Sequence, residues 1–163
     1  MTAPDPQEIP DDTVPPPRFR AAAVPAAVSA PARQATISVP VSVGELADKL
    51  SILHIKHERI ADPAKRAHVA EEMEGLRPIW GGVVASNPEL AGHYDRLKAV
   101  NELMWDVQDG LRAREAAKAF DAEFIALARA VAVRNGERVA IKNGINRLAG
   151  SEFIEEKQYQ AGQ

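Results

Sequence analysis

An all-α fold, a bundle of about four helical segments behind a short extended lead-in and a proline-rich start, is the class this sequence predicts. Three observations point to it. Four segments open on a side chain suited to capping a helix. Their apolar residues recur at helical spacing, and only one short stretch alternates with the two-residue period of a strand. A chain of 163 residues, 45% of them apolar, buries one sizeable core, so one domain is expected.

The elements follow in order. Eight of the 12 prolines fall in residues 1–36, mixed with alanine and charges of both signs, which marks that stretch as a disordered or semi-rigid linker. Within it, TVPPPRFR favours the polyproline II conformation. The helical domain is expected over 37–163. It begins with ISVPVSV, which Pro40 restricts to an edge strand or an extended lead-in. Ser42, with Glu45 three residues on, forms a capping box for the first helix, and Val41 and Leu46 are spaced as its hydrophobic staple. Asp62 caps the second helix with Pro63 in its first turn. Pro78 is expected to end or kink it, which leaves Trp80 in an irregular stretch as a core anchor or rim aromatic. Asn87 and Pro88 start a third segment of about 29 residues at helical periodicity. Asp121 caps the fourth, with Phe120 and Ile125 as staple and Gly150 as stop, and Asn135-Gly136 is a potential break within it. The bundle is expected from about residue 42 to 149.

Composition removes several classes of function. A net charge of -3 offers no basic footprint for nucleic acid. The absence of cysteine excludes disulfides, thiolate nucleophiles and cysteine-based zinc sites, and it fits a cytoplasmic location. The opening MTAPDPQEIPDD is acidic and proline-rich, unlike a secretion signal, and no run reaches the roughly 18 apolar residues of a membrane-spanning helix. A glycine-rich phosphate loop and a GxSxG elbow are both missing. His54 and His57 stand at i, i+3 without the carboxylate motifs of a metal site, and His57 falls toward the Leu46, Leu50 and Leu53 face. Neither a metal nor a cofactor is expected.

Polar residues on otherwise apolar faces are the feature that bears on function. At about 100° per residue, Asn101, Gln108 and Arg112 share a side with Leu90, Tyr94 and Leu97, with Trp105 among them. Asn135, Lys142 and Asn146 continue the side of Phe124, Ala128 and Val131, and Ile52 falls between Lys49 and Lys56. Buried charges cost several kcal/mol unless paired, so a polar layer of this kind requires partners or a ligand. A plainer account exists for several members. Glu45 is explained by the capping box, Glu45 with Lys49 is an ordinary i, i+4 pair, and Asp109 with Arg112 suits a solvated flank.

VSVGELADKLSILHIKHERI, VNELMWDVQDGLR, FIALARAVAVRNGERVAIKNGIN and GSEFIEEKQY, in that order, resemble a small bacterial family known only as a domain of unknown function. The resemblance implies an all-helical fold over about residues 37 to 160 and, through the gene clusters in which such proteins tend to be encoded, a role near surface-polysaccharide or lipopolysaccharide assembly. It implies no activity. The positions matching its pattern are Glu45, Asp48, Lys49, Lys56 and Arg59, then Asn101, Trp105, Asp109 and Arg112, then Asn135, Arg138, Lys142 and Asn146, and last Glu156, Lys157 and Tyr159. Gln108 and Gly136 stand where the pattern usually has an acid, which argues against a metal or acid–base role through those two positions.

Three readings are carried forward. In the first, the stripes converge into a cleft for a sugar phosphate, sugar nucleotide or carboxylate. Arg59, Arg112 and Arg138 act there as forked donors and Lys49, Lys56 and Lys142 as point charges. Asp48 and Asp109 neutralise part of the cluster, while Asn101, Asn135, Asn146 and Trp105 contact hydroxyls and a ring face. This requires the first, third and fourth helices to be mutual neighbours, with the second outside and the EEKQY tail folding back at the rim. In the second, the bundle is a cofactor-independent enzyme of chorismate-mutase-like architecture, with Asp48 or Asp109 as acid or base. In the third it is a structural helical scaffold or homo-oligomer.

Overall fold

The computed structural model describes residues 37–153, 155 and 156; the proline-rich start with TVPPPRFR, and Lys157 and Tyr159, lie outside the described residues. Four helices follow one another: α1 (Val43–Arg59), α2 (Pro63–Ser86), α3 (Glu89–Ala116) and α4 (Ala122–Ala149). Among the described residues there is no strand, so the lead-in before Ser42 pairs with nothing.

The caps form where side-chain chemistry places them. Ser42 accepts from the Glu45 backbone N–H, Asp62 from those of Ala64 and Lys65, and Asp121 from those of Glu123 and Phe124. Asn87 accepts from the Glu89 N–H at 3.2 Å. Gly150 closes α4 in the left-handed conformation, φ 63°, a region that costs glycine nothing. Neither Pro78 nor Asn135-Gly136 ends its helix. Pro78 lies inside α2, which continues to Ser86. Trp80 is therefore helical, and it is buried against Tyr94 with ring centroids 5.2 Å apart. Packing of Met73 and Trp80 on either side of Pro78 outweighs its missing backbone donor. Likewise α4 runs through Asn135-Gly136, because one glycine costs a helix interior only about 1 kcal/mol against alanine.

The core joins Ala47, Leu50 and Leu53 of α1 to Met73 and Trp80 of α2, Leu90, Tyr94 and Leu97 of α3, and Ile145 of α4. Helices α1, α3 and α4 are mutual neighbours, and α2 lies outside that trio, packed mainly on α1. Gly44 allows α1 to approach α4: a Cβ there would stand 2.6 Å from the Lys142 carbonyl oxygen and 2.8 Å from Asn146 Oδ1.

Helix length sets the rest of the shape. At about 1.5 Å per residue, the 17 residues of α1 cover little more than half of the 28-residue helices α3 and α4. No residue from Trp105 to Ile141 is buried. The far halves of α3 and α4 thus form a two-helix arm, closed at its tip where Arg114 pairs with Asp121 and Glu123. No helix among the described residues is long and apolar enough to cross a membrane.

Candidate functional site

The site starts from Asp48, one turn into α1 and only 6% exposed. Its Oδ1 accepts from Asn101 Nδ2 at 2.9 Å, and the same amide donates to Ser51 Oγ at 2.8 Å. Ser51 Oγ in turn donates to the Asp48 backbone carbonyl at 2.8 Å. Helices α1 and α3 are tied here by a buried, closed set of hydrogen bonds. From α4, Arg138 Nε lies 3.9 Å from Asp48 Oδ1, an ion pair beyond hydrogen-bond reach. That Nε is buried and has no hydrogen-bond partner among the described residues.

One turn further along α4, Lys142 is 3% exposed and its Nζ sits between Glu45 Oε1 at 2.5 Å and Glu155 Oε2 at 2.7 Å. Burial opposes the charge, but the bonds to Glu155 and Glu45 and the nearby Asp48 carboxylate outweigh it and raise the ammonium above its ordinary range. The Glu45 carboxylate is thus engaged across the bundle, a role its place in the capping box did not reveal. Asn146 Oδ1 accepts from the Gly44 N–H at 2.6 Å. The segment after α4 folds back onto it. The Asn143 side chain donates to the Glu155 carbonyl at 2.9 Å and accepts from the Glu155 N–H at 3.2 Å, which positions the Glu155 carboxylate over Lys142.

The outer edge of this layer is a groove of about 330 Å³ between α1 and α2, lined by Glu45, Asp48, Lys49, Ile52, Leu53, Lys56 and Glu72. Lys49 pairs with Glu72 at 2.6 Å. Lys56, half-buried in the wall, has no hydrogen bond or ion pair among the described residues. Ile52 and Leu53 give the groove an apolar surface beside its charges.

Of the sequence-predicted residues, Asp48, Lys49, Lys56, Asn101, Arg138, Lys142 and Asn146 meet in this layer and groove. Five do not. Arg59 pairs with Asp106 and lies over the Trp105 ring, 5.9 Å from its centroid, at the end of α1. The bond to Asp106 raises the Arg59 guanidinium still further above its ordinary value. Asp109 and Arg112 pair with each other at 2.5 Å on the exposed arm, and Asn135 is half-buried one turn nearer the arm than Arg138. The reason is the length of α1: beyond Arg59 no helix stands opposite the stripe, so its members return to solvent. The expected cation excess does not form either, because Glu45, Glu72 and Glu155 join Asp48 against Lys49, Lys56, Arg138 and Lys142. Asp48 and Asp109, the two acid–base candidates, are in separate surroundings.

Ser51, Glu72 and Glu155 were missed. A lysine on an apolar helical face requires a carboxylate, and the acids of EFIEE were the available signal for Glu155; Glu72 lay in a helix without a stripe.

On the α1–α3 face away from this layer, His54 Nδ1 and the Tyr94 hydroxyl share a 2.5 Å hydrogen bond. Burial, with Arg77, Lys98 and His57 adding to it and Glu58 opposing, lowers His54 from 6.5, and burial raises Tyr94. A histidine held neutral by the fold contributes stability above its unfolded pKa of 6.5, which is lost as pH falls through the folded value. Thermal melts between about pH 7.5 and 5 should therefore show a destabilisation on acidification that is reduced in His54→Asn. If that variant keeps the wild-type slope, the sensitivity belongs to His93, which burial and Arg96 also lower.

Among the described residues no group of three histidine, cysteine or acidic side chains is placed to hold a metal ion. No curated protein and no solved structure matches the chain. The model of a family of unknown function (DUF6165) matches residues 37–162, the lead-in and all four helices with the polar layer they enclose, and the chain belongs to that family.

Proposed function

We propose that the protein is a binding or accessory protein whose α1–α2 groove holds a small, hydroxyl-rich molecule carrying one negative charge, with a sugar carboxylate as the best-fitting class. The observation that carries this is Lys56. It is half-buried in the groove wall and without a partner among the described residues, whereas the acids around it are engaged: Glu72 by Lys49, Glu45 by Lys142 and Asp48 by Asn101. A half-buried ammonium in such a place favours an anion. The neighbouring carboxylates Glu45, Asp48 and Glu72 disfavour more than one negative charge, since each added charge meets them across a partly desolvated groove. They also accept hydroxyl hydrogen bonds, and Ile52 offers an apolar surface to a sugar ring face. A groove of about 330 Å³ is at the small end of ligand sites, so one sugar ring fits while the base of a sugar nucleotide stays outside. The role near surface-polysaccharide assembly that the sequence resemblance implies would make acidic sugars natural cargo.

Thermal-shift and calorimetric titrations with hexuronates, hexose phosphates, a sugar nucleotide and neutral hexoses test the assignment. The hexuronates should raise the melting temperature by ligand linkage, ahead of the dianionic phosphates and the neutral sugars. Lys56→Ala should abolish that shift without lowering the unliganded melting temperature. A shift that survives in Lys56→Ala, or no shift across the panel, sinks the assignment.

A further inference from the structure

Two charges in the α1–α2 groove are left open, and they have opposite signs. Lys49 is closed by Glu72, and Glu45 by Lys142 from behind the wall. Lys56 supplies the open cation. Asp48 supplies the open anion. Its side chain is 9% exposed, and its Oδ1 is held from the interior by Asn101 Nδ2 at 2.9 Å, with Arg138 Nε beyond hydrogen-bond reach at 3.9 Å. The second oxygen, Oδ2, accepts no hydrogen bond among the described residues, yet it is not sealed in the interior as Arg138 Nε is. Because Asp48 lines the groove, that oxygen is a free acceptor facing it. A carboxylate buried so deeply with one oxygen unbonded calls for a donor, and a charged donor makes the stronger bond.

We infer that the ligand of the groove is a zwitterion: a sugar acid that carries an ammonium group as well as its carboxylate, the carboxylate on Lys56 and the ammonium on Asp48. This rests on the sugar-carboxylate reading of the groove and narrows its class to amino sugar acids. Charge supports it first. The lining holds three carboxylates, Glu45, Asp48 and Glu72, against the two ammonium groups of Lys49 and Lys56, so a carboxylate alone adds to the negative side whereas a zwitterion adds nothing. Spacing supports it next. Asp48 and Lys56 stand eight residues apart on α1, ~12 Å along the axis, and a hydrogen bond of about 3 Å at each end leaves ~6 Å between the charged groups of the ligand. That span suits substituents on opposite sides of one sugar ring and exceeds the separation in an α-amino acid, whose charged groups share a carbon. Ile52, four residues from each, lies between them in the groove and offers an apolar floor to the ring.

Calorimetric titration of the full chain with glucuronate and galacturonate, each beside its 2-amino-2-deoxy counterpart and the N-acetyl form of that counterpart, tests it. The amino sugar acid should bind about tenfold or more tightly than the plain hexuronate, and N-acetylation, which removes the positive charge, should cancel the gain. In Asp48→Asn the carbonyl oxygen stays on the Asn101 donor and the amide nitrogen turns to the groove. The amino sugar acid should then lose its advantage while the plain hexuronate binds as before or better, which also reports an intact fold. Serine should give no measurable binding. If a hexuronate binds but the amine adds nothing, or the advantage survives Asp48→Asn, the zwitterion is overturned and the sugar-carboxylate reading stands. Serine binding as tightly as the amino sugar acid overturns the sugar class. If no sugar acid binds, the reading of the groove fails and this inference with it. Should Asp48→Asn not fold, the comparison of the amino and N-acetyl forms on the wild type decides alone.

Discussion

Lys142→Met is expected to lower the stability of the protein by about 3 kcal/mol or more, the range for removing one partner of a buried ion pair. Lys142 is 3% exposed and bridges Glu45 and Glu155, so the variant removes the cation that joins α1, α4 and the returning tail. Packing is not the cause, because methionine fills most of the lysine stem's volume. The two glutamates then face each other without a cation between them, which favours their protonated forms in the folded state. Carboxylates whose folded pKa is raised add stability as pH falls, so the deficit of the variant should narrow toward about pH 4. In the wild type the ammonium is raised above 10.5, so its contribution is present at neutral pH and lost only as pH climbs through the folded value. Urea unfolding of both proteins at neutral and acid pH checks this. A Lys142→Met protein as stable as the wild type would mean that the charge is not structural and belongs to a ligand site instead.

Asn101→Leu should cost about 2 to 3 kcal/mol, since hydrogen bonds to a charged group contribute about 1.5 to 3 kcal/mol and the abandoned acceptor stays buried. Leucine matches asparagine closely enough in shape to keep α3 packed on α1, yet it leaves Asp48 Oδ1 without its 2.9 Å donor and Ser51 Oγ without its 2.8 Å donor. The diagnostic experiment is a double-mutant cycle with Asp48→Asn. With the carboxylate already neutral, the Asn101→Leu change should hurt less, giving a coupling of roughly 1 kcal/mol or more. Additive losses would indicate that Asn101 acts through packing alone.

These two residues also show how far the chain could be read from its sequence. Ser42, Asp62, Asn87, Asp121 and Gly150 are legible because capping is local: a side chain bonds backbone groups two or three residues away, or, at Gly150, a glycine takes the left-handed conformation that closes the helix. The same local periodicity placed Asp48, Asn101, Lys142 and Asn146 on apolar faces, and burial requires partners for them. Pro78 was read as an end or kink and Asn135-Gly136 as a potential break for the same local reason; both helices run on, α2 because Met73 and Trp80 pack on either side of Pro78 and α4 because one glycine costs a helix little.

Helical spacing by itself determined the four helices, their starts and the polar character of the inner stripe. Which stripe residues meet was decided only by tertiary structure, because angular position on a helix says nothing about the height at which its neighbour ends. Since α1 stops at Arg59, Asn101 and Lys142 are sealed beneath it while Arg112 and Val131, on continuations of the same faces, stand on an uncovered arm. The pairing of Lys142 with Glu155 depends likewise on the chain returning after Gly150, a contact that the residues between Asn143 and Glu155 permit but whose hydrogen bonds exist only once α4 is in place.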